Sequence, residues 1–148
     1  MQAFLGLINW GMRFIPHVSE KSRPLEGLLK KKAKFLWTHE HTTAMEEIKN
    51  AFREAEALFL FQISKPIGIE CDASQIGLGS RLFQRKNSNS EGLETIAYAS
   101  RVLKESEKRY TITELECLSV VWALKKWQIC LIGRKITIRT DHRALIAS

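Results

Sequence analysis

With 148 residues, 45% of them hydrophobic and 26% charged, the chain is long enough to bury a core, and its composition excludes disordered and fibrous classes. A formal net charge of +7 favours a polyanionic partner, because lysine and arginine gain by displacing counterions condensed on nucleic acid. The longest apolar runs, ALFLF and VVWAL, fall far short of the ~18 residues of a membrane span. No basic flank leads into a signal-like apolar block, so a cytoplasmic or nuclear protein without signal peptide or membrane partner is expected. The three cysteines, Cys71, Cys117 and Cys130, form no CxxC pair and indicate neither a disulfide framework nor a thiolate zinc site.

In chain order, Phe4, Ile8, Met12 and Ile15 fall at helical spacing until Pro16 closes the run. Ser22 with Pro24 then predicts the start of a second short helix that ends in the lysines around Lys30, Lys31 and Lys32. The apolar stripe is expected to pack and the lysines to track phosphate. Next, Ala44, Ile48, Ala51 and Phe52 form a helical stripe behind Thr38, a candidate N-cap. His39 and His41 are two apart and cannot share a helix face, which argues against a metal pair. Trp10 and Trp37 are read as packing anchors.

The stretch IGIECDASQIGLGS, Ile67 to Ser80, is an alternating strand that carries Asp72 to its end, where Ala73, Ser74, Gly77 and Gly79 allow close approach of other groups. GLGSRLFQRKNSNSEGLETIAYASRVL continues as strand, polar turn and strand, completing a three-stranded antiparallel meander. KRYTITELECLSVVWALKKW is a helix whose Cys117, Val120, Val121, Leu124 and Leu131 are expected to cover the sheet. Both Thr111 with Glu114 and Thr113 with Glu116 satisfy capping-box spacing, and local sequence does not choose between them. KITIRTDH is a further strand ending in Asp141. With the helix as crossover, this strand runs parallel to the first, so Asp72 and Asp141 lie at one sheet edge, and Glu116 in the helix's first turns can complete a triangle. Each acid alone also suits a turn or cap; their combination points to chemistry.

DAS at Asp72, TELECLSVVWAL around Glu116 and TDH at Asp141 resemble, in order and spacing, the ribonuclease H domain of retroviral and gypsy-class retrotransposon reverse transcriptases. FLGLINWGMRFIPHVSEKSRPLEGLLKK similarly resembles the end of the thumb in those enzymes, and the segment after it the connection. The resemblance implies a ribonuclease H-like α/β fold: a mixed sheet of the meander plus a parallel strand after a crossover helix, truncated at its C-terminus, with a helical N-terminal extension. The implied division is residues 1–62 as thumb end and connection and residues 63–148 as a partial ribonuclease H-like domain.

The resemblance also selects Glu116 over Glu114 and implies that Asp72, Glu116 and Asp141 bind Mg²⁺, with Mn²⁺ as an alternative, to hydrolyse the RNA strand of RNA–DNA hybrids. Phosphodiester hydrolysis needs an activated water and a stabilised leaving oxygen, and two hard cations roughly 3.5–4 Å apart serve both. Ser74, Lys30, Lys31, Lys32 and His142 are candidate contacts to hybrid or other duplex nucleic acid, His142 also suiting a hydrogen bond at the strand end. The family continues beyond TDHRALIAS to a fourth acid, and its polymerase motifs are missing here, so a fragment of a retroelement polyprotein with impaired cleavage is expected, partnered by the rest of that polyprotein. The alternative is a decayed or domesticated, non-catalytic module that binds nucleic acid or a protein.

Overall fold

A computed structural model describes residues 2–55, 57–87, 89 and 92–141; the side chain of Trp10 and the whole of His142 lie outside the described part. The first helix, α1 (Gln2–Gly11), runs into a 3-10 turn at Met12–Phe14. The second, α2 (Val18–Gly27), begins earlier than Ser22 and Pro24 indicate, with Pro24 inside the helix and His17 as a left-handed N-cap at φ 53°. Lys30, Lys31 and Lys32 follow the helix in an exposed turn. The third, α3 (His39–Glu54), starts as the sequence predicts: Thr38 caps it, and the Thr38 backbone N–H donates to His41 Nδ1 at 3.0 Å. Ile8, Ile15, Val18, Leu25, Ala44 and Ile48 interlock between these three helices as one apolar cluster.

The meander consists of β1 (Ile67–Ala73), β2 (Gly77–Arg85) and β3 (Leu93–Val102), antiparallel in sequence order. After α4 (Ile112–Lys126) and the short α5 (Gln128–Leu131), β4 (Ile136–Thr140) returns parallel to β1, giving a four-stranded sheet of order β3-β2-β1-β4. This mixed sheet with its crossover helix is the ribonuclease H-like arrangement. At the start of α4, Thr111 and Glu114 form the capping box, each binding the other's backbone N–H, so Glu114 serves the helix end and Glu116 is left for the sheet side.

The face of α4 that meets the sheet matches the expected one in part: Val120, Leu124 and, beyond the helix, Leu131 pack into the core as predicted, but Cys117 and Val121 do not. Leu115, Glu116, Ser119 and Ala123 are buried, while Cys117 is exposed and Val121 is 48% exposed. Small residues at Ser119 and Ala123 let the helix lie close to β1, and Val120, Trp122 and Leu124 pack around the contact. Beneath it, Ile67, Ile69, Cys71 and Leu82 form the floor of the main core. Trp127 also belongs to this packing, its Nε1–H donating to Ser80 Oγ at 3.1 Å. Among the described residues no helix is long and apolar enough to cross a membrane.

Candidate active site

The period of β1 divides its residues between two faces: Ile67, Ile69 and Cys71 point into the core under α4, and Gly68, Glu70 and Asp72 point to the other side. Asp72 is the penultimate residue of the strand, and its side chain is 54% exposed. Parallel pairing of β1 with β4 runs from Ile67 with Ile136 to Cys71 with Thr140. Asp72 and Asp141 each stand one residue past that last pair, so two exposed carboxylates end two adjacent strands at the same edge of the sheet.

Glu116 is buried on α4, close enough to Cys71 for its charge to act on the thiol. Burial first, and the Glu116 charge in addition, push the Cys71 thiol up to about 11, so this cysteine is an inert core group. The sheet edge thus gathers Asp72 and Asp141, whereas Glu116 stands on the α4 side of β1. Among the described residues no three histidine, cysteine, aspartate or glutamate side chains form a group placed to hold a metal ion. In donor chemistry the set suits Mg²⁺ all the same: two carboxylates at adjacent strand ends offer hard oxygen ligands, and a third is one helix away.

Around Asp72 lies a cavity of about 230 Å³ lined by His17, Glu70, Asp72, Gly79, Arg81 and Tyr98, among others. Glu70 stands between Arg81 Nη2 at 3.9 Å and Arg139 Nη1 at 3.7 Å, so cations flank the floor of the site. His17 Nε2 lies 3.5 Å from Asp72 Oδ2, a neighbour that sequence reasoning missed because the two residues are distant in the chain. Ser74 is held in its turn: its hydroxyl donates to Glu20 Oε1 at 2.9 Å and accepts from the N–H groups of Ile76 and Gly77.

The mixed sheet and its crossover helix define a ribonuclease H-like unit. The family model for the RNase H-like domain found in reverse transcriptase matches residues 37–138, and the chain belongs to that family. Among curated proteins, the Tf2-3 and Tf2-4 transposon polyproteins of Schizosaccharomyces pombe (strain 972 / ATCC 24843) are each 33% identical over 148 residues. That alignment covers 99% of this chain and 11% of either polyprotein, so the chain corresponds to about a tenth of the relatives it matches. Among solved structures, a foamy viral protease-reverse transcriptase dRH in complex with double-stranded DNA superposes with a TM-score of 0.81 at 29% identity, over 95% of this chain and 24% of that one. The foamy viral protease-reverse transcriptase in complex with an RNA/DNA hybrid gives 0.79 at 29% identity, over 95% and 19%.

Proposed function

We propose that this chain is the ribonuclease H-type unit of a retroelement reverse transcriptase polyprotein, acting on the RNA strand of RNA–DNA hybrids with Mg²⁺. The observation that carries the reading is the parallel β1–β4 register, which sets Asp72 and Asp141 side by side at one exposed edge. Asp72, Asp141 and, from α4, Glu116 would hold the cation, which when bound supplies activation of a water and stabilisation of the leaving oxygen. The chain's own part is to present carboxylate oxygens at a rigid strand end and to surround them with positive charge. Arg81 and Arg139, beside Glu70, suit a phosphate approaching that edge. Lys30, Lys31 and Lys32, exposed after α2, add contacts that any duplex backbone satisfies. Relatives solved with double-stranded DNA and with an RNA/DNA hybrid support nucleic acid as the partner.

A labelled RNA–DNA hybrid incubated with the chain in Mg²⁺ tests the reading. Weak RNA-strand cleavage is expected, and it should fall to background in Asp72→Asn and in Asp141→Asn, since each removes a metal oxygen ligand. Cutting that persists in both variants would remove Asp72 and Asp141 from the site, and a chain that binds the hybrid without Mg²⁺-dependent cutting would favour the non-catalytic binding module instead.

A further inference from the structure

Asp72 pairs across β1 and β2 with Gly79, so its cross-strand neighbour has no side chain. The slot is filled from elsewhere: a Cβ on Gly79 would stand 2.4 Å from Cε1 and 2.8 Å from Nδ1 of His17. His17 therefore takes the place beside Asp72 that a β2 residue would otherwise hold. Its backbone is in the left-handed region at φ 53°, the one non-glycine with positive φ among the described residues. Such a conformation is strained and persists only where the surroundings hold it.

Those surroundings are built from both parts of the molecule. Ser19 N–H donates to Ser100 Oγ at 3.1 Å and Ser19 Oγ–H to the Ser100 carbonyl at 2.9 Å, both buried, which fixes the first turn of α2 on β3. Glu20 accepts from Ser74 Oγ and lies 3.9 Å from His17 Nδ1, so the imidazole stands between Glu20 and Asp72. A Cβ on Gly77 would meet the Arg101 carbonyl of β3 at 2.7 Å and the Glu20 carboxylate at 3.1 Å, so this strand is pressed there by α2 as well as by its neighbour. The Asp72 side chain nevertheless stays 54% exposed, leaving part of its carboxylate open to a ligand.

We propose that His17, contributed by the N-terminal helical segment, is a positioning residue of the metal site: its imidazole orients the Asp72 carboxylate so that an oxygen is presented to the cation. This rests on the reading of Asp72 as a metal ligand. The nuclease edge is then a composite site, completed by a residue that precedes the strand carrying its carboxylate.

Mn²⁺ titration of the whole chain by calorimetry, with thermal unfolding as a check on fold, tests it in wild type, His17→Asn, His17→Gln and Asp72→Asn. Asparagine tolerates the left-handed backbone but is too short to reach Asp72, whereas glutamine places an amide near the position of Nε2. Removing a group that orients a ligand typically weakens metal binding about 10–100-fold, so His17→Asn should lose about tenfold at unchanged thermal stability, and His17→Gln should recover most of it. Mn²⁺ affinity in His17→Asn equal to or tighter than wild type, with Asp72→Asn binding none, overturns the role of His17 alone. Wild-type Mn²⁺ binding that survives Asp72→Asn, or is absent from wild type, overturns the metal site itself.

Discussion

Glu107 shows how a single carboxylate joins two parts of the sheet unit. Arg101 on β3 grips it with two N–H donors, Nη1 to Oε2 at 2.7 Å and Nη2 to Oε1 at 2.9 Å, and the Lys104 backbone N–H adds a third at 2.8 Å. The Arg101 hydrogen bonds, reinforced by Lys104, hold this carboxyl below its ordinary value of 4.5. A group depressed in the folded state stabilises the protein above its unfolded pKa and loses that contribution as pH falls through the folded one. Glu107→Gln should therefore cost about 1–2 kcal/mol at neutral pH, and the gap to wild type should shrink as the pH drops from about 5 toward about 3. Urea unfolding across that range measures it; a gap that is constant with pH would show that the Arg101 fork contributes no charge-dependent stability.

Elements were legible where their chemistry is local and ambiguous where distant packing decides. The alternation of Ile67, Ile69 and Cys71 and the strand ending in Asp141 disclosed their pairing, because a helix between two strands of one sheet makes them parallel. The start of α2 was not legible: its N-cap is His17, held by Asp72 and Gly79 rather than by any local capping side chain. The buried face of α4 was legible only for Val120 and Leu124, since that helix carries apolar residues on several sides and closeness to β1 selected Ser119 and Ala123 over larger residues. Which capping box forms, locally undecided between Thr111 with Glu114 and Thr113 with Glu116, is answered by the Thr111–Glu114 pair. Ser119 is fully buried, and its hydroxyl donates to the Glu116 carbonyl at 2.7 Å. Ser119→Leu should consequently cost about 1–3 kcal/mol by forcing α4 off the sheet, while Ser119→Ala should cost under about 1 kcal/mol. Equal melting temperatures for the two variants would mean that the helix is not pressed against the strand there.

At the scale of the molecule, the helical segment and the sheet meet at the edge that carries Asp72. One apolar cluster holds α1, α2 and α3 together, another lies between sheet and α4, and His17 at β1, Glu20 at the turn after β1 and Ser19 at β3 link the two. On this account the segment before the sheet helps build the site as well as bearing the lysines that suit phosphate. On the proposed reading, Asp72 is part of a metal-binding carboxylate edge rather than a strand-end cap. The most direct measurement is thermal unfolding of wild type and Asp72→Asn with and without Mg²⁺. Mg²⁺ should raise the wild-type melting temperature in proportion to its binding, and Asp72→Asn should abolish this rise. An equal Mg²⁺ response in both proteins would contradict that reading.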